Sequence, residues 1–140
     1  MEKSCGVVLF NSDKFLLLQH NNEDSGADGH WDFPKGHVES GEEEINTALR
    51  ELKEETNIED VNIIPSFKQF INYKIDKGPL SVSKKVIFFL AETKVWDVSL
   101  SSEHQNFIWL NFEEAFERLT YDNAKNILKE AHIFTSKMNV

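Results

Sequence analysis

Near the start of the chain, short apolar runs are separated by polar residues in a pattern that predicts strands. Lys3 to Phe10 and Phe15 to His20 are two such segments, and Asn11-Ser12-Asp13 between them is typical of a turn. We therefore predict a β-hairpin, and its second strand is apolar enough to lie inside a sheet. Asn21 to Gly29 is polar and contains two glycines, so we predict a loop there.

A second hairpin is predicted in the middle of the chain. Val61 to Ile75 is a long strand-prone stretch interrupted by Pro65. Asp76-Lys77-Gly78-Pro79 is a turn sequence, and Ser81 to Thr93 is the returning strand. A late strand is predicted over Gln105 to Leu110.

Between the two hairpins, apolar residues recur every three or four positions, which predicts a helix with one buried face. The residues on this face are Ile45, Ala48, Leu49, Leu52 and Thr56. Ser40 followed by Glu43 predicts a capping box at the start of the helix. Helical spacing returns over Glu113 to Leu119 and Asp122 to Ala131. The predicted core contacts of these later helices are Phe112, Phe116, Leu119, Ile127 and Leu128.

The order of these elements indicates the fold class. Strands, one helix, more strands and two C-terminal helices predict an α/β fold with a mixed sheet covered by helices on both faces. No repeat, linker or low-complexity segment divides the chain, and 140 residues are enough for one core. We therefore expect a single domain over residues 1–140.

Composition narrows the setting and the partners. The net charge is −9, which argues against a protein that binds nucleic acid through an extended basic surface. The longest apolar run, Val86 to Ala91, is too short to cross a bilayer, and the first residues lack the pattern of a signal peptide. Cys5 is the single cysteine, and we predict a small buried strand residue. We expect a cytoplasmic protein that does not bind membranes.

Candidate chemistry lies on the central helix. At about 100° per residue, Glu51, Glu54 and Glu55 fall within an arc of about 100° beside the buried face. Three carboxylates so close repel each other unless a cation lies between them, and Mg²⁺ or Mn²⁺ favours carboxylate oxygen. A solvated acidic helix face is the more ordinary interpretation. The glycine loop from Gly36 to Glu42, directly before the helix, favours the metal site.

The segment from Gly36 to Ile58 resembles the signature of Nudix hydrolases, G-x5-E-x7-R-E-U-x-E-E-x-G-U, in which U is an aliphatic residue. The matching residues are Gly36, Glu42, Arg50, Glu51, Leu52, Glu54, Glu55 and Ile58. One fixed position departs, because Asn57 replaces the final glycine. Asn accepts left-handed backbone at the end of a helix, so the change is conservative. The resemblance implies a Nudix α/β/α sandwich, with the signature forming a loop-helix-loop motif.

The resemblance extends over nearly the whole chain. Trp31 to Glu39, Ser102 to Phe107 and Trp109-Leu110 are similar to the animal and archaeal type of asymmetrical diadenosine tetraphosphate hydrolase. This type implies hydrolysis of diadenosine tetraphosphate to ATP and AMP, by attack of water on phosphorus with the help of Mg²⁺, for which Mn²⁺ substitutes. The implied partner is a dinucleoside polyphosphate, and we expect a monomer.

The resemblance also implies the roles of the acidic residues. The implied metal site consists of Gly36, through its carbonyl, with Glu51, Glu54, Glu55 and the distant Glu103. Arg50 is implied to orient the glutamates through salt bridges. Catalysis is assigned to Arg50, Glu54, Glu55 and Glu103, and the glutamate that acts as the base is left open.

The substrate-binding residues are expected among His30, Lys35, Tyr73, Lys84, Lys85 and Tyr121. Lys35 matches a phosphate-contacting lysine, and the alternative is an exposed surface lysine. His30 either contacts phosphate or is simply exposed. Tyr73 and Tyr121 match two tyrosines that stack on adenine, and core packing is the alternative for both. Of Lys84 and Lys85, only one is expected to point inward from a strand.

Two rival functions remain open. The chain could act on another nucleoside diphosphate-X substrate, such as the 5′ triphosphate end of RNA. Enzymes of that kind usually have glutamine where Lys35 stands and a more basic surface. It could also be a non-catalytic Nudix module that senses a nucleotide, although such modules commonly lose signature glutamates that this chain keeps.

Overall fold

The computed structural model describes residues 2–21 and 29–138, so most of the loop predicted at 21–29 lies outside the described residues. Seven strands and three helices are described. The strands are β1 (Glu2–Asn11), β2 (Lys14–His20), β3 (Trp31–Asp32), β4 (Lys35–His37), β5 (Val61–Lys77), β6 (Leu80–Thr93) and β7 (His104–Leu110). The helices are α1 (Glu44–Thr56), α2 (Phe112–Arg118) and α3 (Asp122–Met138).

All seven strands form one mixed sheet. Its main path runs β3-β2-β1-β6-β5, with β4 paired to β1 and β7 paired to β2. The pair β1 and β6 is parallel, and the other pairs are antiparallel. Only the far end of β1 pairs with β2, so its near end is free to pair with β4. This split leaves an opening between β2 and β4.

The sheet has a hydrophobic core on each face, which confirms the predicted α/β class with helices on both sides. Alternate side chains of β1 point to opposite faces, so Val8 lies in one core and Val7 in the other. The core with Val8 includes residues of α2 and α3, whereas the core with Val7 includes Ala48 and Leu52 of α1. Cys5 is fully buried, as predicted, and burial raises the pKa of its thiol to about 11.

Both predicted hairpins are present. The first turns at Ser12, whose φ of 56° lies in the left-handed region. In the second, pairing between β5 and β6 loses register between Ile63 and Lys68, and Ser66 has a φ of 74°. Pro65 lies inside this interruption because it has no N–H to donate to the neighbouring strand. The turn itself is shorter than predicted, since β5 continues to Lys77.

The predicted capping box at Ser40 is wrong. Helix α1 has Glu43 as its N-cap, and no side chain caps it there. The carboxylate of Glu42 accepts hydrogen bonds from the Thr47 hydroxyl at 2.6 Å and from the Glu39 N–H at 3.1 Å. Glu42 therefore closes the turn before the helix, in place of the predicted pair.

The end of α1 agrees with the sequence. Asn57 has φ 62° and ψ 21°, the left-handed conformation predicted for the position of the missing glycine. Its N–H donates to the carbonyl of Lys53 at 2.8 Å. Asparagine thus supplies the conformation for which the signature uses glycine.

Two short strands were not predicted, and one helix is longer than predicted. The short strands β3 and β4 were not predicted, because two or three residues are too few to show a period. Helix α3 continues to Met138, beyond the predicted end at Ala131. Of the predicted core contacts in α2 and α3, Leu119, Ile127 and Leu128 are buried, and Phe112 and Phe116 pack partly buried against them. Within residues 2–21 and 29–138, no helix has the length and apolarity to span a bilayer.

Candidate metal and phosphate site

A cavity of about 370 Å³ lies at the opening between β2 and β4, beside α1 and the start of β7. It brings together residues from seven different elements and loops. They are Ser4, His20, Lys35, Gly36, His37, Glu39, Arg50, Glu51, Glu55, Lys84 and Glu103. Acidic residues line this cavity together with lysines, an arginine and histidines. Such a wall can hold both a cation and an anion.

Glycine is required at position 36 because of a close side chain. Gly36 lies in β4 and pairs with Cys5 of β1. A Cβ atom on Gly36 would lie 2.0 Å from Cδ of Glu51 and 2.2 to 2.3 Å from its two carboxylate oxygens. The Glu51 carboxylate therefore rests directly on the backbone of β4, and the glycine determines where this carboxylate lies.

Arg50 connects the acidic residues. Its Nε and Nη2 donate to the two carboxylate oxygens of Glu42 at 2.8 and 3.0 Å, a bidentate pair. Nη1 donates to Glu51 at 3.0 Å and to Glu54 at 3.2 Å, and Nη2 also donates to the carbonyl of His37. Hydrogen bonding from Arg50 lowers the pKa of Glu42 to about 2. One guanidinium thus links α1 to the loop and to β4.

Glu55 is the buried carboxylate of the site. It is 5% exposed, and its Oε1 accepts a hydrogen bond from the backbone N–H of Lys35 at 3.1 Å. Burial, followed by the charge of Glu51, raises the pKa of Glu55 to about 9. Burial and the charge of Glu54 also raise the pKa of Glu51. The folded chain therefore holds two carboxyl groups where ionisation is unfavourable without a cation.

Glu54 and Glu103 differ from this pair in exposure. The Glu54 side chain is 55% exposed and is held by Arg50. Glu103 is exposed, lines the cavity from the turn before β7, and its charge contributes to raising the pKa of both Glu51 and Glu55. The structure thus brings Glu103 near the signature helix, although about fifty positions separate them in the sequence.

The donor set fits a hard divalent cation. Glu51, Glu55 and Glu103 line one cavity with Gly36, and carboxylate and carbonyl oxygens are the ligands that such cations prefer. A cation there would also relieve the repulsion that raises the two pKa values. As the side chains stand, no three His, Cys, Asp or Glu groups in the described residues converge closely enough to bind a metal ion.

Lys35 is not the exposed lysine of the alternative interpretation. Its Nζ forms an ion pair with Asp32 at 2.8 Å, and the two side chains are only 18% and 5% exposed. Burial alone would lower the pKa of Lys35, but the charge and hydrogen bond of Asp32 outweigh it, and the pKa is raised. Sequence reasoning missed Asp32 as the partner that fixes this lysine in the cavity wall.

The Lys35→Met variant is therefore expected to lose stability as well as activity. It leaves the Asp32 carboxylate buried without its cation, a change that typically costs about 3–5 kcal/mol. Thermal unfolding should show a large fall in Tm, and Lys35→Met/Asp32→Asn should recover much of it. Recovery of Tm without recovery of activity would identify a role for the lysine beyond packing, whereas an unchanged Tm in the single variant would contradict the ion pair's importance.

The two neighbouring lysines of β6 face opposite sides of the sheet, as the alternation of a strand requires. Lys84 lines the cavity, whereas the Nζ of Lys85 lies 4.5 Å above the ring of Phe70 on the other face. Tyr73, opposite Lys84 on β5, is partly buried and packs against the core that includes α3. Tyr73 also lies close enough to Lys35 to contribute to its raised pKa.

The remaining two predicted residues form part of a row of rings. Tyr121 is 48% exposed, so core packing does not account for it. Its ring centroid lies 5.4 Å from that of His30, which in turn stacks on His20 at 4.1 Å. Of His20 and His30, it is His20 that lines the cavity, as His37 also does. Sequence reasoning missed His20, and its only signal was a polar residue at the end of an apolar strand.

A second cavity, of about 560 Å³, lies at the other end of β1 and β2. Its wall includes Phe10, Phe15 and Phe112 together with the acidic residues Asp13, Glu92 and Glu113. Among the residues that the structure describes, no lysine or arginine lines it. A phosphate group would be repelled there, so the smaller cavity is the candidate for phosphate chemistry.

Comparison with known proteins accounts for this arrangement. A family model described as the NUDIX domain matches residues 2–131. The chain belongs to the Nudix family. The Nudix signature of this chain consists of β4, the loop that follows it and α1, so its glycine and its glutamates lie on two elements that pack together.

Similar Nudix proteins match along nearly their whole length. The chain is 38% identical to an asymmetrical bis(5′-nucleosyl)-tetraphosphatase of Sus scrofa, with 97% of each chain covered. It is 39% identical to the protein of the same name in Mus musculus, with 94% of each covered. A solved structure of a C. elegans Ap4A hydrolase binary complex superposes with a TM-score of 0.86 at 34% identity, covering 98% of this chain and 99% of that one.

Proposed function

We propose that this protein hydrolyses diadenosine tetraphosphate to ATP and AMP. The observation that carries the proposal is the shared cavity, which is lined by Glu51, Glu55 and Glu103 together with Lys35 and Lys84. Carboxylates suit the cations that hydrolysis of a polyphosphate needs, and lysines suit the phosphates themselves. The similarity to proteins named asymmetrical bis(5′-nucleosyl)-tetraphosphatase supports the choice of substrate.

Some residues of the cavity would hold the cation, and others would orient the carboxylates. Gly36, Glu51, Glu55 and Glu103 would hold the cation, for which we propose Mg²⁺, with Mn²⁺ as a substitute. Bound there, it would supply charge neutralisation at the phosphoryl oxygens and a lowered pKa for a coordinated water. Arg50 orients Glu51 through a hydrogen bond and is itself held by its bond to Glu42.

The reaction forms one bond and breaks one. The water oxygen attacks a phosphorus atom of the polyphosphate chain, and the bridging oxygen on the far side of that phosphorus leaves with the other product. A carboxylate of the cavity accepts the proton of the water. Lys84, which lines the same cavity, attracts the phosphates that remain bound.

Chromatography of the products formed from diadenosine tetraphosphate in Mg²⁺ tests the proposal. ATP and AMP in equal amounts are expected, with no turnover in EDTA. Two molecules of ADP would contradict asymmetrical cleavage. Faster release of diphosphate or phosphate from triphosphorylated RNA would favour the RNA-end function, and binding of nucleotide without any product would favour a sensor.

Glu103 gives a more specific prediction, because it comes from a turn rather than from α1. Glu103→Gln should slow the reaction less than Glu55→Gln and should shift the pH-rate profile more, since cation binding by the helix residues persists. Rates measured from acid to mildly alkaline pH check this. A Glu103→Gln variant as fast as the parent, with the same profile, would make Glu103 an ordinary loop residue.

We also propose the setting in which the protein works. Residues 1–140 would form one catalytic domain, active as a monomer in the cytoplasm, with no extended nucleic-acid surface. The net charge of −9 and the absence of any disulfide at the buried Cys5 support this setting. Size-exclusion chromatography with light scattering would test the monomer.

A further inference from the structure

Three histidines from three different parts of the chain contact each other, and one of them, His20, lines the cavity. His20 is the last residue of β2, and His104 is the first residue of β7 and pairs with His20. The carbonyl of His30 accepts a hydrogen bond from the backbone N–H of His20 at 2.9 Å. Their rings are also in contact. The ring of His30 stacks on that of His20, with centroids 4.1 Å apart and planes 12° from parallel, whereas the ring of His104 is tilted by 59° to that of His20 at 4.5 Å.

His20 is the central member of this group, because its ring contacts those of both His30 and His104. The register of β2 against β7 shifts between Gln19 and His20, a bulge that turns the His20 side chain out of the regular alternation. His104 is itself fixed, because its Nδ1 lies 3.1 Å from the hydroxyl of Ser101. The ring of His30 contacts both His20, at 4.1 Å between centroids, and Tyr121, at 5.4 Å.

The chemistry of the wall beside His20 indicates what the ring can bind. His20 shares the cavity with Lys35 and Lys84, the two lysines proposed to attract phosphate. Burial, followed by the neighbouring histidines, lowers the pKa of His20 to about 4, so the ring is neutral at pH 7 and has one N–H to donate. A neutral donor adds a directed hydrogen bond to an anion that the lysines attract by charge.

We propose that His20 is a substrate-binding residue of this protein, whose imidazole N–H donates a hydrogen bond to a phosphate oxygen, while His30 and His104 hold the ring in position. The proposal rests on the proposed function for the identity of the polyphosphate. It assigns a phosphate contact to His20, whereas the sequence resemblance offered only His30 as a candidate histidine. The Nδ1 of His30 is buried and has no hydrogen-bond partner among the described residues, which fits a ring that supports its neighbour.

Two substitutions separate hydrogen bonding from packing. His20→Phe keeps a flat ring for the stack but removes the N–H, whereas His20→Gln keeps an N–H donor and removes the ring. The matched control is His132→Phe. His132 also stacks on an aromatic ring, that of Phe112, at 4.0 Å, but it lines the other cavity.

Steady-state kinetics with diadenosine tetraphosphate in Mg²⁺ give the first readout. His20→Phe should raise KM about tenfold, the loss expected for one hydrogen bond to a charged acceptor, with kcat within about twofold of the parent. His20→Gln should recover part of this loss, and His132→Phe should match the parent. If His20→Phe has the KM of the parent, His20 only packs and the proposal is overturned.

A second readout does not depend on turnover. The Mg²⁺ complex of adenosine 5′-(β,γ-imido)triphosphate is titrated into the parent while the ring nitrogens of histidine are followed by ¹H–¹⁵N NMR. The His20 signal, assigned by its loss in His20→Phe, should shift, and the Kd should rise about tenfold in that variant. Shifts at other histidines but not at His20 would overturn the proposal. If His20→Phe failed to fold, the loss of the signal in His20→Gln would supply the assignment. If diadenosine tetraphosphate proved not to be a substrate, this titration would still decide the role of His20.

Discussion

Glu55→Gln is expected to lower the rate of diadenosine tetraphosphate hydrolysis in Mg²⁺ by about a hundredfold to ten-thousandfold. The substitution keeps the size of the side chain, and its amide oxygen can still accept the hydrogen bond from the Lys35 N–H. It removes the charge from the most buried carboxylate of the cavity. The loss should therefore fall on cation binding and on the chemical step, and the fold should persist.

The same variant should be more stable than the parent when divalent cations are removed with EDTA. The pKa of Glu55 is raised from the ordinary value of 4.5 to about 9, so between these pH values the unfolded chain has lost a proton that the folded chain keeps. The free energy of unfolding of the parent therefore falls as the pH rises through this window. Glu55→Gln lacks this titration, so its Tm in EDTA should fall less from pH 5 to pH 8.

Glu59→Gln is the matched control, because Glu59 is exposed and pairs only with the exposed Lys53 near the end of α1. Its rate and its pH-dependent Tm should match those of the parent. A Glu55→Gln variant that keeps its rate to within a few-fold would refute the proposed role of Glu55 in cation binding. Equal slopes of Tm against pH for parent and variant in EDTA would show that Glu55 ionises normally.

Gly36→Ala is expected to have the second large effect, a fall in kcat/KM of about a hundredfold. The added Cβ would lie 2.0 Å from Cδ of Glu51, so the carboxylate has to move. Displacement of a site group by about 1 Å is enough to cost about a hundredfold in rate. The backbone of Gly36 is in a strand, a conformation that alanine adopts without strain. The variant should therefore lose much of its activity and little of its stability.

Gly41→Ala supplies the contrast. Gly41 has a φ of 76°, which alanine adopts only with strain, but a Cβ there would meet no atom within 4 Å. This variant should lose stability and keep its rate per folded molecule. Kinetics at saturating Mg²⁺, together with thermal unfolding of both variants, separate the two cases. Gly36→Ala with the parent's rate would mean that the position of Glu51 is unimportant.

The sequence predicted the parts of this fold that depend on neighbouring residues. The two hairpins and the left-handed Asn57 are local features, and both are present. The predicted buried face of α1 is present in part, because Ala48, Leu52 and Thr56 are buried whereas Ile45 and Leu49 are half-buried. The capping box failed for a local reason of another kind. Glu42 holds the loop together through Thr47 and Arg50, a competing arrangement that the same stretch of sequence also allows.

Contacts that depend on burial or on the meeting of distant segments could not be predicted from the sequence pattern. Asp32 and Lys35 are close in sequence, but their ion pair matters because both side chains are buried, which periodicity does not show. The stack of His20, His30 and His104 requires three chain segments to meet, and a bulge sets the central ring. The signature indicated the acidic side of the cavity, whereas the side with His20 became visible only in the structure.

The hydrogen bonds of Arg50 have a consequence for how such a protein can diverge. They begin at Arg50 and end within residues 37 to 54, so Glu42, Glu51 and Glu54 are held by one continuous stretch of chain. His20 and Lys84, which line the same cavity, come from β2 and β6, which are far apart in sequence. Substitutions there can change which phosphate-linked group fits without disturbing the carboxylates. Proteins with this arrangement can therefore gain new substrates through substitutions at a few scattered positions, while the residues of the hydrolytic reaction stay the same.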